Sequence, residues 1–361
     1  MGARVLIIGV GDVGSRFAAG LAADENVDEL VLAGLAQGEG PFIAGMLASS
    51  YDVTVRFRAV DGTRLGAVEK LLKDEAPDLI VQSASLIGPW TVLDRRDPTA
   101  QALNAAGLGV QLPAQLPILM TVMTAVRAVD FQGPVANISF PDVTHPILDR
   151  MGLAPTVGLG NISMHLCRVR AALRARAKAK GEDAAELPLI RLVSHRNMGH
   201  GVYTCQPPDD PEMGLRVYLG EAGERADELA YEGYPLEPSI KMNFLTCAAA
   251  LPVLKALVPG AAPLRYSTPS PRGLPGGYPV RIAGGKVELD LPEGVDLDET
   301  VAFLGRFARG DGVEAIEDDG TVIYTEAAKR AVAGLDPGLT EPLAPEDALE
   351  RFQRLWSRLN A

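Results

Sequence analysis

The chain has 361 residues, 47% of them hydrophobic and 22% charged, with 46 acidic against 34 basic side chains and a net charge of −12. That composition excludes a disordered or collagen-like chain. The length suggests two domains, or one with an added lobe, able to bury roughly 75% of the unfolded surface without a disulfide or metal staple. The acidic balance repels phosphate backbones, so no nucleic-acid partner is expected.

Arg4-Val5-Leu6-Ile7-Ile8 reads as a buried strand, and Gly9-Val10-Gly11-Asp12-Val13-Gly14 follows it. Ser15 to Ala23 then reads as a helix with Phe17, Ala18, Leu21 and Ala22 on one face. A strand, a GxGxxG turn and a helix in that order are the dinucleotide-binding fingerprint. Gly9 permits the tight turn, Gly11 lets the backbone approach a pyrophosphate, and Gly14 lets helix and strand pack closely. Asp12 and Val13 open the helix whose N-terminus favours the phosphate charge. Leu30–Ala33 is a second strand. Where an acidic residue would hold a ribose diol, the sequence has Gly34. No repulsion of a 2′-phosphate stands there, so the cofactor expected is NADP or NAD, with a slight lean to NADP and Arg56 or Arg58 as a candidate cation. Thr54 to Val60 alternates as a third strand. Asp61, at its end, is either an adenine contact or a turn aspartate.

Leu65 to Lys73 is an amphipathic helix and Leu79-Ile80-Val81 a fourth strand. Residues 98–126 carry no charge and suffice in length for a membrane span. Four glutamine and asparagine residues with Gly107, Gly109, Pro113 and Pro117 mark the stretch instead as a buried loop and helix, so no membrane partner is expected. A helix runs through Leu119 to Val129, Val135–Ile138 is a fifth strand, and Val157–Leu159 a short sixth. Strands alternating with helices give a doubly wound, parallel α/β sheet. After Asn161 the style changes to α+β. A helix spans about Ser163 to Lys180, and Leu187 to Val193 is a strand. A Pro/Gly-rich loop covers Cys205 to Gly214, and Asn243 to Val258 is a helix. Hairpins cover Arg281–Leu291 and Val313–Tyr324, and a final helix covers Glu346–Leu359, opened by Pro345. The expected division is a dinucleotide-binding Rossmann domain over 1–160 and an α+β substrate and oligomerisation domain over 161–361. Cys167, Cys205 and Cys247 form no CxxC pair, which argues against a disulfide framework or structural zinc and for a reducing cytoplasm. The first residues fit neither a signal peptide nor a myristoylation pattern.

Several later segments, with the glycine motif, resemble the lactate/malate dehydrogenase superfamily. They are Asn137-Ile138-Ser139-Phe140-Pro141-Asp142, Gly158-Leu159-Gly160-Asn161, Arg168-Val169-Arg170, Arg191 to His195, and the hairpin from Pro279 to Val287. The likeness covers nearly the whole chain in order and spacing. Val60-Asp61-Gly62-Thr63 and the following helix are also similar to saccharopine-reductase-like enzymes, over the first half only. The first resemblance implies an oxidoreductase that moves a hydride between nicotinamide and a small carboxylate-containing substrate. It further implies that Arg168 grips the carboxylate, that His195 is the catalytic acid–base, and that Arg95, in a mobile loop, polarises the carbonyl. A histidine titrates near neutral pH and suits the proton step; His200 is the second candidate. Asn137 is placed to contact nicotinamide or substrate. One departure is plain: where the family carries the aspartate that orients its histidine, this chain has His165, which supplies no fixed negative charge. His165 is therefore kept as a catalytic candidate in a rebuilt pair. A homodimer or homotetramer is expected, with no resident metal. Two alternatives stay open. One is a metal-assisted, NAD-dependent glycosidase-like hydrolase using His165, Cys167, His195 and His200. The other is a dinucleotide-binding sensor without turnover.

Overall fold

The computed structural model describes residues 2–183, 185 and 187–361. Its first half is built on β1 (Ala3–Ile8), α1 (Asp12–Ala22), β2 (Val27–Gly34), α2 (Gly40–Ser50), β3 (Thr54–Ala59), α3 (Leu65–Glu75) and β4 (Leu79–Gln82). There follow α4 (Trp90–Leu93), α5 (Pro98–Ala106), a 3-10 turn over Leu108–Gln111, α6 (Leu112–Ala128), β5 (Val135–Asn137), α7 (Pro141–Arg150) and β6 (Val157–Gly158). The six strands pair in parallel in the order β3-β2-β1-β4-β5-β6, the doubly wound dinucleotide-binding order. Side chains alternate across a strand, and here both sets are buried. Val5, Ile7, Leu30, Leu32, Leu79 and Val81 enter one core, and Leu6, Ile8, Val31, Ala33 and Ile80 the other. Burial on both faces explains why these strands read as unbroken apolar runs.

The rest of the chain covers those two faces. α8 (Asn161–Lys180), β7 (Ile190–Val193), α9 (Gly199–Thr204), β8 (Arg216–Leu219), α10 (Asn243–Leu257), β10 (Leu264–Pro269), β11 (Gly277–Ala283), β12 (Lys286–Leu289) and α11 (Leu297–Gly305) join the core of α1, with the exposed β9 (Glu224–Arg225) at the edge of β8. They include two small antiparallel sheets, β7-β8-β9 and β10-β11-β12, bridged by Ser194 and Gly277. The C-terminal part, β13 (Val313–Ile316), β14 (Val322–Tyr324), α12 (Glu326–Val332) and α13 (Ala348–Leu359), packs instead on the α3 and α6 face of the parallel sheet. Residues 161–361 thus divide their packing between the two faces.

Several expectations shift at their edges. The strand expected from Leu187 begins at Ile190, and the final helix opens as a 3-10 turn over Pro345–Asp347 before α13. The uncharged stretch 98–126 is α5, the 3-10 turn and most of α6, whose side chains are mostly buried. Leu108–Ala128 and Ile240–Leu257 are long and apolar enough to cross a membrane. Here α6 lies between α3 and α13, and α10 between α1 and α8.

Candidate functional site

Two of the three motif glycines are consumed by the fold. Gly9 has φ +100°, and a Cβ there would lie 2.5 Å from the Ala84 amide nitrogen. A Cβ on Gly14 would lie 2.0 Å from the Gly9 carbonyl oxygen, which also accepts a 2.7 Å bond from Ser83 Oγ. Gly11 differs. It caps α1 in extended geometry, and a Cβ there would meet nothing within 4 Å. The open position faces the site where a helix N-terminus binds phosphate. Asp12 and Val13 form the first turn of α1. Asp12 is held by Arg16 and accepts a 2.8 Å bond from Asn243 Nδ2, while Asn243 Oδ1 accepts one from Trp90 Nε1 at 3.2 Å. Asn243 therefore ties the glycine loop to the segment after β4, a link that sequence reading did not find.

The end of β2 itself carries no acid, and no lysine or arginine follows it before β3. Gly34 closes β2 with open space at its Cβ position. Arg56 and Arg58 are corrected as phosphate cations. Arg56 pairs with Glu29 and Glu75, and Arg58 with Glu75, whose side chain is buried. Asp61 forms a tight turn, accepting from the Thr63 hydroxyl at 2.7 Å and the Thr63 amide at 3.0 Å, with Arg64 at 3.4 Å. Those hydrogen bonds hold its carboxyl below the usual range.

At the C-terminal end of β5, Asn137 is fully buried and committed. Its Oδ1 accepts the Ser139 amide at 2.9 Å, and its Nδ2 lies 3.0 Å from His145 Nε2. His145 Nδ1 is 2.9 Å from the Ser270 carbonyl, so it donates there and accepts at Nε2. Burial pushes this imidazole down to about 4. Asn137 thus shapes the turn into α7 through its side chain instead of presenting it to a ligand.

That turn delivers a carboxylate with no partner. Asp142, in the first turn of α7, is 3% exposed, and neither carboxylate oxygen has a partner. Beside it stands the segment after β7. Arg196 lies over the Phe140 ring at 5.6 Å and pairs with buried Asp311. His195 stacks on Phe307 at 5.9 Å, and Asn197 Nδ2 donates to the Phe307 carbonyl. Asp311 abuts Gly107 and Gly109, two residues before Gln111, a buried amide with both polar atoms unpartnered. Sequence positions 142, 195 and 311 thus converge on one buried polar cluster. His195 is 1% exposed and accepts the Asn197 amide at Nδ1, 3.2 Å away. Burial lowers its pKa, opposed by the charges of Asp142 and Asp311. The neutral ring therefore carries its proton on Nε2. Burial raises the Asp311 carboxyl against the pull of Arg196 and His195.

The other candidates separate. His165 is buried, with Nδ1 2.9 Å from Ser194 Oγ and Nε2 unpartnered, and burial pushes it down to about 3. It is a neutral neighbour of the His195 strand and supplies no charge. Arg168 is 8% exposed; Nη2 donates to Cys205 Sγ at 3.2 Å and the Glu232 carbonyl at 3.3 Å, while Nε has no partner. It is not a solvated helix arginine. His200 is exposed on α9 and outside the buried cluster. Arg95 is corrected as a carbonyl-polarising group, because it is bound to Asp97 at 2.7 Å and to the Leu359 carbonyl at 2.8 Å and anchors the C-terminal helix. Cys167 faces the Tyr266 hydroxyl, away from the Ser194 partner of His165. Among the described residues no group of three His, Cys, Asp or Glu side chains stands close enough to hold a metal.

Asp142 was within reach of sequence reading, since it ends the quoted Asn137–Asp142 segment. Asp311 and Gln111 carry no local signal. No protein-family model and no curated protein matches the chain. Among the solved structures similar to it are three dehydrogenases. A lactate dehydrogenase from a Medee basin deep-sea metagenome library has 13% identity and a TM-score of 0.48. A minor L-lactate dehydrogenase from Enterococcus mundtii has 14% and 0.48. A malate dehydrogenase from Archaeoglobus fulgidus, in complex with NADH, has 15% and 0.49. Each alignment covers 85% of this chain and 96% of the other.

Proposed function

We propose that this chain is an NAD(P)-dependent oxidoreductase that moves a hydride between nicotinamide and a carbon bearing oxygen or nitrogen in a small carboxylate-containing substrate. The observation that carries the reading is Gly11. The fold needs glycine at positions 9 and 14 for its own packing, but leaves room for a side chain at 11. A ligand backbone that approaches the α1 N-terminus closely accounts for that room. The bound dinucleotide supplies the hydride acceptor or donor, and residues 9–14 hold its pyrophosphate. The chain's own polar cluster lies past the end of β5, on the C-terminal side of the sheet where ligands of this fold class bind. There His195 offers one N–H to a substrate oxygen. Arg168, with an unpartnered donor, is the group proposed for the carboxylate.

Because Gly34 brings no carboxylate and Arg56 and Arg58 are bound elsewhere, discrimination between NAD and NADP is expected to be weak. The test is direct titration with NADH and NADPH, followed by absorbance at the reduced-nicotinamide band over a panel of 2-hydroxy and 2-oxo acids. His195→Gln should lower turnover by about 100-fold or more and leave cofactor affinity unchanged. Lack of binding to both dinucleotides refutes the reading.

A further inference from the structure

We propose that Asp142 takes the substrate proton in the redox step, while His195 only donates a hydrogen bond to the same oxygen. This rests on the oxidoreductase reading above. The argument starts from what His195 has left to offer. Its Nδ1 is occupied by the Asn197 amide, so the neutral ring presents Nε2–H, a donor. A donor can polarise a substrate oxygen but cannot accept the proton that an alcohol loses. An acceptor must stand nearby, and His165, buried and neutral against Ser194 on the same strand end, brings no carboxylate.

Asp142 supplies the acceptor. Its two oxygens are buried without a partner, a state that a carboxylate tolerates only when something favours its charge. The N-terminus of the ten-residue helix α7 does so. Its placement is rigid, because Pro141 starts the helix and the Asn137, Ser139, Thr144 and His145 network fixes the turn before it. The Arg196–Phe140 contact and the Arg196–Asp311 pair bring the His195 segment over that helix start. The charged and titratable groups around Asp142 include His195, His145, Tyr203, Asp311 and the Arg196 guanidinium that binds Asp311. Among these acids, Asp311 already binds Arg196 through Oδ1, and only Asp142 keeps both oxygens free. In the oxidation direction a nicotinamide held by residues 9–14 would take the substrate C–H hydrogen together with its electron pair, as hydride. The hydroxyl O–H bond breaks with its proton passing to the Asp142 carboxylate, and the carbonyl so formed accepts from His195 Nε2–H. Reduction returns the proton along the same path.

The test uses full-length Asp142→Asn and Asp142→Glu proteins. Imidazole nitrogen NMR of the wild type should show His195 protonated on Nε2 near neutral pH. Asp142→Asn should lower the His195 pKa further, since a neighbouring negative charge is lost. The same variant should melt no lower than wild type, because the substitution removes a buried unpartnered charge. It should also lose turnover by about 100-fold or more with dinucleotide affinity intact, and Asp142→Glu should recover part of the loss. A His195 ring protonated on Nδ1, an unchanged His195 pKa in Asp142→Asn, a lowered Tm or near-normal turnover each overturns the assignment and leaves the oxidoreductase reading standing. Wild-type protein that binds no nicotinamide dinucleotide overturns both.

Discussion

The glycine loop allows a sharp separation of binding from folding. Gly11→Val and Gly14→Ala are single changes three residues apart in one turn, yet the structure assigns them opposite consequences. At Gly11 an added Cβ meets nothing within 4 Å and the backbone is extended, at φ −80°. The stability change is the balance of a poor N-cap residue, about 1 kcal/mol, against the reduced freedom of the unfolded chain, about 0.4–1 kcal/mol. Those terms nearly cancel, so Tm should stay within roughly 2 °C of wild type. At Gly14 the Cβ would stand 2.0 Å from a backbone oxygen, so strand β1 or helix α1 must move. Overpacking of this kind costs about 1–3 kcal/mol or more, or a Tm drop of roughly 2–6 °C. Binding should reverse the order. A valine side chain at position 11 occupies the pyrophosphate approach, and a loss of about 100-fold in NADH affinity corresponds to about 2.7 kcal/mol. Calorimetric titration with NADH and NADPH, beside thermal melts, reads both effects. Equal dissociation constants for Gly11→Val and wild type would refute the assignment of the glycine loop to a dinucleotide.

Two further outcomes follow from the site. Arg168→Lys should weaken a carboxylate ligand much more than the dinucleotide, because lysine keeps the charge and loses the planar fork. Thermal protection by oxamate or malonate in the presence of NADH measures this, and equal protection of both proteins removes Arg168 from the substrate site. The buried histidines make stability fall in mild acid. His145 binds its proton at about 4 in the folded protein and near 6.5 when unfolded, so the unfolded state binds protons first as pH drops below 6.5. The contribution is complete above that value and is lost between 6.5 and about 4, a total of roughly 3 kcal/mol. Melting temperature should therefore decline on acidification before most carboxylates titrate. His145→Asn should flatten that slope, and an unchanged slope would show that this imidazole is not held neutral.

What the sequence made legible was local or repetitive. The central strands are apolar on both faces, so each reads as a run without knowledge of its neighbours, and the glycine loop lies within six consecutive residues. The helices that escaped notice lack such signals. In α2 glycine and small residues spread through Gly40–Ser50 and leave no apolar stripe. In α7 two prolines argue against a helix, although Pro141 stands at the first helical position where it is tolerated and Pro146 is carried in the interior by packing. Resemblance to a family moved Arg95 to a catalytic loop, but the residue that decides its place is Leu359, at the far end of the chain. The same distance rule governs the site. Residues 142, 195 and 311 come from a helix start, a strand end and a 3-10 turn, and no spacing in the sequence brings them together. Their burial does supply a local clue of another kind, visible once the fold is known. A core built for stability alone would pair Asp142 or replace it with an apolar residue. An unpartnered carboxylate held rigidly at a helix N-terminus, beside a histidine with only a donor to give, lowers the stability of the free protein. The N-terminus of α7 offsets part of that cost, and the proton-accepting role proposed for Asp142 would account for the rest.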